Sequence, residues 1–464
     1  MPVNTPHEDY QRAMPEWQKL RDVLAGQAAV RRQAAQYLRR PPGMSFEEFD
    51  AYADAATFMP ATGRTLAGLT GAIFRKAPII NASNQDLIEN IDQRGTPFAV
   101  FAKATTNEVI AMGRHGVLVD VPSKEGGQPY LARYTAENII NWRSATVNGK
   151  PTLTMVVLKE IEARPREEDR FTTDEVEQYR LLELIRTPDH SSPVYAVSVF
   201  ERRREDTALI EGPIVPLRRG EPLTFIPFEF IGPTDLQPGI EQSPLLGLAD
   251  TNIAHYRTSA EYENSLFFAG FPIFVIAGDM PTSGIELRAG SGMVWQLEKG
   301  ATAQVLQGSA ENVGALREAL DRKAQDMAIL GARLLEPQKA GVESAEAIGL
   351  RHRGESATLA SIADTVGRGL SRVLTWAMWW AGEQNADATV QLNTDFIGAP
   401  MSGAEIVQFV SAWQTGGLPL EALHHSLARG EALPEGMTLD KYREGLENDG
   451  PAAAFLGPEP DDDE

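Results

Sequence analysis

The stretches SPLLGLADTNIAHYRTSAEYENSLFFAG (residues 243–270) and ENVGALREALDRKAQDMAILGARLL (residues 311–335) decide the fold of this chain. Each carries apolar residues at steps of three and four, the period of an amphipathic helix. Ser243 followed by Pro244 is a typical helix start. At 1.5 Å per residue the helices are roughly 40 Å and 37 Å long, and matched lengths on either side of an insert predict an antiparallel pair.

The insert between these helices, residues 271–310, is rich in glycine and β-branched residues. Short strands are expected within it, at residues 273–276, 293–297 and 303–306. A third helix is expected from Ser344 to Glu383, roughly 60 Å long at the same rise. This arrangement suits a ring of subunits, because paired helices can line a channel while the insert projects from one end.

The flanking regions are expected to combine helices and strands. The first part is predicted to be helical over residues 9–37, 45–58, 62–74 and 96–115. Strands are predicted over residues 116–122, 153–158, 178–184, 194–200 and 224–231. The last contains Pro227 and is expected at a sheet edge, while the charge-dense residues 159–177 are expected to be exposed. Near the end, helices are expected from Ser402, Pro419 and Thr438.

Composition bounds the class of protein. The chain has 464 residues, of which 42% are hydrophobic and 23% are charged, as expected for a folded protein with two or three cores. Neither a signal peptide nor a membrane span is predicted. The absence of cysteine excludes disulfides, thiolate zinc sites and cysteine nucleophiles.

The charge is strongly and unevenly acidic. The net charge is −21, and residues 431–464 hold eleven acids and two bases, a net of −9. Because affinity for nucleic acid comes largely from neutralising phosphates, such a chain is a poor tight binder of DNA. It can still surround a duplex without gripping it.

The sequence contains no catalytic or metal-binding motif. Phosphate-loop, dinucleotide-glycine, HExxH and calcium-loop motifs are all absent. His255 and Glu263 lie two turns apart on one predicted helix, which is a weak hint of a site. The cluster Trp376, Trp379 and Trp380 is expected in a core or a subunit interface rather than as a base-stacking platform. No catalytic residue, cofactor or metal is therefore predicted.

Six segments together resemble the portal proteins of tailed double-stranded-DNA bacteriophages, in the subgroup described as portal-like. Their order and spacing carry the resemblance more than any one motif does. They are Tyr37-Leu-Arg-Arg-Pro-Pro-Gly-Met44, Ala61-Thr-Gly-Arg-Thr-Leu-Ala-Gly-Leu69 with Ile73-Phe-Arg-Lys-Ala-Pro78, Arg133-Tyr-Thr-Ala-Glu-Asn-Ile-Ile-Asn-Trp-Arg143, Leu248-Ala-Asp-Thr-Asn-Ile-Ala-His-Tyr256, Met327-Ala-Ile-Leu-Gly-Ala-Arg-Leu-Leu335 and Glu355-Ser-Ala-Thr-Leu359.

The resemblance implies an α+β, mainly helical fold with wing, stem, clip and crown parts, assembled as a ring. By position, the parts are the wing (1–242), first stem helix (243–270), clip (271–310), second stem helix (311–335), channel loop (336–343), long wing helix (344–383) and crown with acidic tail (384–464). The candidate channel-loop residues are Glu336, Pro337, Gln338, Lys339, Ala340 and Gly341. Lys339 is the only base among them, so it is the candidate for touching DNA phosphates, although it suits a solvated loop equally well.

The implied function is the DNA channel at one vertex of a viral head, used for genome packaging, retention and ejection. The implied partners are further copies in a ring of commonly twelve, a terminase, a head–tail adaptor, the major capsid or scaffold protein, and double-stranded DNA in weak non-specific contact. No membrane is involved. The implied location is the virion, with the host cytoplasm during assembly.

Two other functions remain open at this point. One is another ring-shaped head–tail connector component, for which 464 residues is long. The other is a hydrolase or transferase whose active site is dispersed along the sequence. A ring with a central hole favours the portal or another connector component, and a compact monomer or dimer with catalytic turnover favours the enzyme.

Overall fold

The structure is a computed structural model that divides into two compact units. It describes residues 2–122, 127–147, 149–166, 169, 171–203, 206–270, 273–278, 300, 302–306, 310–332, 345–384, 386–394, 396, 401–429, 432–434 and 437–449. The first unit is Met1–Thr394 and the second is Asp395–Glu464.

Helices and strands both contribute, with 47% helix and 24% strand, which confirms the expected mixed and mainly helical class. The helices are α1 Glu8–Ala25, α2 Gln27–Arg32, α3 Ala34–Tyr37, α4 Phe46–Ala55, α5 Ala61–Ile73, α6 Gln85–Glu89, α7 Phe98–Met112, α8 Leu246–Gly270, α9 Ala310–Ala332, α10 Ala345–Trp380, α11 Gly403–Gln414, α12 Leu420–Arg429 and α13 Leu439–Asp449, with a 3₁₀ turn at Ala136–Asn138. The strands are β1 Ile79–Asn81, β2 His115–Asp120, β3 Tyr130–Thr135, β4 Ile139–Val147, β5 Lys150–Pro165, β6 Thr173–Ile185, β7 Val194–Arg203, β8 Asp206–Ile214, β9 Leu217–Arg218, β10 Glu221–Pro222, β11 Phe228–Ile231, β12 Ile273–Ala277, β13 Thr302–Leu306 and β14 Thr389–Gln391.

The N-terminal helices are more broken than expected. A single helix over residues 9–37 was wrong, because Gly26 has a φ of +88° and ends α1, so that α2 and α3 follow as separate short helices. Helix α4 begins with a capping box: Ser45 Oγ accepts from the Glu48 N–H at 3.2 Å, and Glu48 accepts from the Ser45 N–H at 2.7 Å. These reciprocal bonds satisfy two donors that a helix start leaves unpaired.

The core of the first unit lies around a three-stranded sheet in the order β11-β2-β3. Gly113 ends α7 with a φ of +73° and leads directly into β2, whose residues are all buried. The strand expected over residues 224–231 begins only after Pro227, at Phe228, and β11 lies at the edge of the sheet, as expected. Helix α10 packs against this sheet.

A second sheet of five strands is an antiparallel meander in the order β4-β5-β6-β7-β8. The strands predicted over residues 178–184 and 194–200 are confirmed as parts of β6 and β7, which pair with each other. The charge-dense residues 159–177 are mostly exposed or half-buried, but much of this span is strand: β5 continues to Pro165, which lies opposite Thr173 of β6. Lys159 and Glu177 lie near each other across these strands and form an ion pair at 2.7 Å.

From Leu359 onward, helix α10 packs into the body of the first unit, by which we mean its sheets together with helices α1 to α7. Two glycines permit close packing along it: a Cβ at Gly367 would lie 2.8 Å from the carbonyl oxygen of Val390, and one at Gly369 would lie 2.9 Å from Ile231 Cγ1. Val390 belongs to β14, which pairs with β1. This strand therefore belongs to the first unit, and the division between the two units falls after Thr394.

The second unit contains α11, α12 and α13 among its described residues, where three helices were expected. Ser402 and Glu405 form a complete capping box at the start of α11. In the part of the chain that the structure describes, no helix is both long and apolar enough to cross a membrane.

Candidate functional site

The proximal half of α8 is fixed to the body by hydrogen bonds along its inner face. Asn252 is fully buried; its side-chain oxygen accepts from the Thr62 hydroxyl at 3.0 Å, and its Nδ2 donates to the Met59 carbonyl at 2.8 Å. Two turns further on, Ser259 Oγ accepts from the Thr57 N–H at 2.8 Å. Losing one partner would leave a buried polar atom unpaired, so these bonds hold α8 in one position.

Two charged contacts extend this attachment to the N-terminal helices. Lys19 of α1 forms an ion pair with Asp250 at 2.5 Å. Arg257 Nε donates to the carbonyl of Tyr37, the last residue of α3, at 2.6 Å. Together with the buried bonds, these contacts make the base of α8 part of the body.

Helices α8 and α9 pack side by side as an antiparallel hairpin. Lys323 of α9 donates to the Ala254 carbonyl at 3.3 Å and to the Thr258 hydroxyl. Burial, together with the nearby charge of Lys323, lowers the pKa of His255. Leu316 lies two turns before Lys323 in α9. Because the helices are antiparallel, Leu316 is level with the part of α8 that lies two turns after Ala254–Thr258. Helices α8 and α9 therefore remain paired beyond the segment of α8 that is bonded to the body.

Beyond Ala260 the body covers the hairpin only in part. None of the residues from Glu261 to Gly270 is buried. Leu266, Phe267 and Phe268 are 38%, 58% and 47% exposed, and the two phenylalanine rings pack edge to face with centroids 5.7 Å apart. A run of large apolar side chains on a projecting helix is typical of a surface that another macromolecule covers.

The far end of the hairpin carries an antiparallel ribbon. Strand β12 pairs with β13 from Ile273 opposite Leu306 to Ala277 opposite Thr302. Two of the three strands expected in the insert are thereby confirmed. The third, at residues 293–297, lies outside the described residues.

A groove of about 800 Å³ lies where the hairpin leaves the body. We call it the arginine groove, because Arg39 and Arg40 line one wall together with Pro41 and Pro42. The opposite wall comes from α8 and α9 and includes Glu261, Ser265 and Leu316. The groove therefore combines apolar surface from proline and leucine with the positive charges of two exposed arginines.

The arginines of this groove are available for an outside partner. Neither Arg39 nor Arg40 forms an ion pair with any residue that the structure describes. The Arg40 guanidinium lies over the ring of Phe46, 4.3 Å from its centroid, and Phe46 is 76% exposed. In the sequence, two consecutive prolines after Arg39-Arg40 indicate the end of a helix, and the two adjacent arginines were the signal that this segment also forms an exposed surface.

The candidate channel-loop residues Glu336, Pro337, Gln338, Lys339, Ala340 and Gly341 lie outside the described residues. The described residues before this loop end with α9, and those after it begin with α10. This part of the site therefore stays a prediction.

The other residues that the sequence suggested have separate surroundings. His255 and Glu263 are not brought into a metal-binding group, and no cluster of three or more suitable side chains occurs among the described residues. Trp376 and Trp379 pack against Phe225, and Trp380 donates to the Leu217 carbonyl at 3.2 Å. These contacts confirm a packing role for the tryptophan cluster.

Two buried basic side chains at the junction of α7 and β2 were not anticipated. Arg114 is 1% exposed and lies between the rings of Trp142 and Phe230, with its Cζ 3.8 Å and 4.7 Å from their centroids. Burial lowers its pKa to about 9, and burial lowers the pKa of the adjacent His115 to about 3. The aromatic sandwich compensates part of the desolvation of the guanidinium.

Comparisons with known proteins overlap this region. Residues 244–381 match the family model described as a domain of unknown function (DUF4055), a span that runs from the start of α8 to the end of α10. The match covers a minority of the chain, so it does not place the whole chain in that family. Among curated proteins, none matches the sequence.

Some solved structures show weak similarity over most of the chain. A chain of "Virion of native gene transfer agent (GTA) particle" is 15% identical, with 83% of this chain and 92% of that chain covered and a TM-score of 0.38. A chain of "Neck of empty GTA particle computed with C6 symmetry" is 14% identical, with 87% and 98% covered and a TM-score of 0.40. Such TM-scores are too low to establish a common fold.

Proposed function

We propose that this protein is a subunit of a phage portal, the ring that forms the DNA channel at one vertex of a viral head. The observation that carries the proposal is the α8–α9 hairpin. Its base is bonded into the body, its far end carries a β-ribbon, and large apolar side chains between the two are exposed. Copies placed side by side around an axis would cover these side chains.

The parts of a portal follow the elements of the chain. Helices α8 and α9 are the stem, residues 271–310 are the clip and residues 336–343 are the channel loop. Helix α10 is the long wing helix, and the two sheets with α1 to α7 form the wing. The second unit, which begins at Asp395, is the crown, and the strand β14 before it belongs with the wing.

The charge of the chain suits a passage for DNA. Twelve copies with a net charge of −21 would carry about −250 formal charges in total. Where acidic surface faces the duplex, repulsion keeps the DNA centred and mobile, whereas a basic sleeve would hold it. Lys339 is the candidate for a sparse phosphate contact in the channel.

In this role the protein takes part in packaging, retention and ejection of the genome. Its partners are other copies of itself, a terminase and a head–tail adaptor at the clip, and the capsid or scaffold protein around the wing. Its place is the virion, after assembly in the host cytoplasm. No catalysis and no cofactor is assigned to it.

Electron microscopy and mass measurement of the purified full-length protein test the proposal. Negative-stain images should show rings with a central hole, and light scattering should give a multiple of the 50.7 kDa chain, with twelve expected. A monomer or dimer at micromolar concentration would contradict the portal and turn attention to an enzyme. Rings that never join a capsid vertex would instead favour another connector component.

A further inference from the structure

Helix α8 presents two different faces at one height where it leaves the body. Glu261, Asn264 and Ser265 are spaced i, i+3, i+4 and line the arginine groove. Glu263, Leu266 and Phe267 have the same spacing, and we call them the ridge. At 100° per residue the centres of the two faces are more than a quarter-turn apart, so the ridge points away from the groove.

The ridge and the groove are complementary in polarity and in charge. The ridge offers two exposed apolar side chains, Leu266 and Phe267, and one carboxylate, Glu263, that forms no ion pair with a described residue. The groove offers apolar surface from Pro41, Leu316 and their neighbours. Two arginines against the single carboxylate of Glu261 leave the groove with a net positive charge.

Their positions suit a head-to-tail contact. Residues 261, 264 and 265 overlap in sequence with residues 263, 266 and 267 and are offset from them by two residues, so their mean heights differ by only about 3 Å at 1.5 Å per residue. In a ring whose axis runs along the hairpin, a surface on one subunit meets a different surface of the next at the same height. A ridge and a groove on different sides of one helix at one level satisfy that condition.

We propose that the arginine groove binds the ridge of a second copy of this chain, with Glu263 of one copy paired to Arg39 and Arg40 of the next. The inference rests on the proposed ring and names the surfaces that close it. The apolar ridge residues supply contact area, and the charge pair fixes the direction of assembly, because reversed placement would oppose like charges.

Charge exchange tests the pairing. Glu263→Arg alone, and Arg39→Glu with Arg40→Glu, should each raise the protein concentration needed for half-maximal assembly by about tenfold or more, since each places like charges together. All three substitutions in one chain should restore assembly. Glu318→Arg, on an exposed position of α9 that lines neither surface, is the matched control and should assemble like wild type.

The outcomes separate the inference from the proposed function. If wild type forms rings and the charge-reversal variants assemble normally, the proposed groove–ridge contact is wrong, while the proposed portal function is not contradicted. If the reversals abolish rings and the triple variant does not recover them, the pairing of these charges is wrong. If wild type forms no ring, the proposed function itself fails, and this inference fails with it.

Cross-linking tests the same contact without altering charge. The chain has no natural cysteine, so Leu266→Cys on the ridge and Ala315→Cys in the groove provide the only two thiols. A short bismaleimide should link copies into a ladder that extends beyond the dimer, while either single-cysteine variant should give no ladder. A product that stops at the dimer, or no product, would overturn the head-to-tail contact.

Discussion

Arg372 of α10 donates to Glu229 of β11 at 2.7 Å, which links the long helix to the edge strand of the buried sheet. The Glu229 side chain is 5% exposed and that of Arg372 is 51% exposed. Burial raises the pKa of Glu229 to about 7, even though the neighbouring guanidinium acts to lower it. Desolvation therefore outweighs the ion pair for this carboxyl group.

Stability should depend on pH through Glu229. Its pKa is near 4.5 in the unfolded chain and about 7 in the folded one, so the folded state binds the proton more tightly. The group's contribution to the free energy of unfolding is thus largest below pH 4.5 and decreases as the pH rises to 7, by about 3 kcal/mol. This loss of stability is measured by denaturant unfolding of wild type and Glu229→Gln at pH 5 and at pH 8.

The free energy of unfolding of the Glu229→Gln variant should lack this pH dependence, so the variant should become more stable relative to wild type as the pH rises. Glu47→Gln, at an exposed site on α4, serves as the control and should follow wild type at both values. If Glu229→Gln and wild type keep a constant difference between pH 5 and pH 8, the carboxyl group does not titrate in this range.

Two glycines should respond in opposite directions to alanine. At Gly113 the φ is +73° and a Cβ would lie 2.4 Å from the Glu241 carbonyl oxygen, so Gly113→Ala should lower the free energy of unfolding by at least about 1–3 kcal/mol. Gly314 lies within α9 with no atom within 4 Å of an added Cβ. Gly314→Ala should therefore raise it by about 0.5–1 kcal/mol. Urea denaturation of both variants measures these changes in the free energy of unfolding. Equal changes in the two variants would contradict the expectation that alanine is tolerated at position 314 and not at position 113.

Removing the buried amide at the base of α8 should loosen the hairpin from the body. Asn252→Ala leaves the Thr62 hydroxyl and the Met59 carbonyl without their partner, and we expect a loss of about 1–3 kcal/mol. Gln325→Ala on the exposed surface of α9 should change stability by less than about 0.5 kcal/mol. Hydrogen exchange should also show faster exchange in α8 for the first variant only. Unchanged protection there would mean that other contacts hold the helix.

Shortening the insert should separate assembly from docking. Ala277 and Thr302 lie directly opposite each other, so an Asn-Gly turn in place of residues 278–301 can close the ribbon. The proposed clip function predicts that the shortened protein still forms rings but no longer binds terminase or adaptor in a pull-down. Wild-type binding by the shortened ring would exclude the insert as the docking site.

A charge reversal in the proposed channel loop should act on DNA and spare assembly. Lys339→Glu removes the only base among the candidate loop residues and should change the amount of DNA packaged or retained, while rings form normally. Lys441→Glu, at an exposed position of α13, makes the same charge change elsewhere. DNA content per particle is the measurement, and identical values for Lys339→Glu and wild type would remove this lysine from the mechanism.

Local signals were sufficient to predict much of the helical structure. The pairs Ser45 with Glu48 and Ser402 with Glu405 are capping boxes in the sequence and in the structure, because their bonds span three residues. The α8–α9 pair and two strands of its insert were likewise predicted from period and glycine content. The break at Gly26 was not, since a single glycine in a periodic helix does not reveal a positive φ.

Contacts that depend on distant segments could not be predicted. The strand β5 continues through charged residues because partners such as Glu177 lie on the adjacent strand, which composition alone does not show. The arginine groove combines the segment after α3 with α8 and α9, more than two hundred residues later. The burial of Arg114 between two aromatic rings similarly requires the finished sheet.

The interleaving of groove and ridge residues along α8 limits how the hairpin can change in length. One inserted residue after Ala260 would turn everything beyond it by about 100°, so that the apolar side chains would rotate out of alignment with an adjacent copy. Seven residues complete nearly two turns and preserve the orientation, provided that α9 lengthens equally. Relatives of this hairpin should accordingly differ by paired heptads, each lengthening the hairpin by about 10 Å, rather than by single insertions.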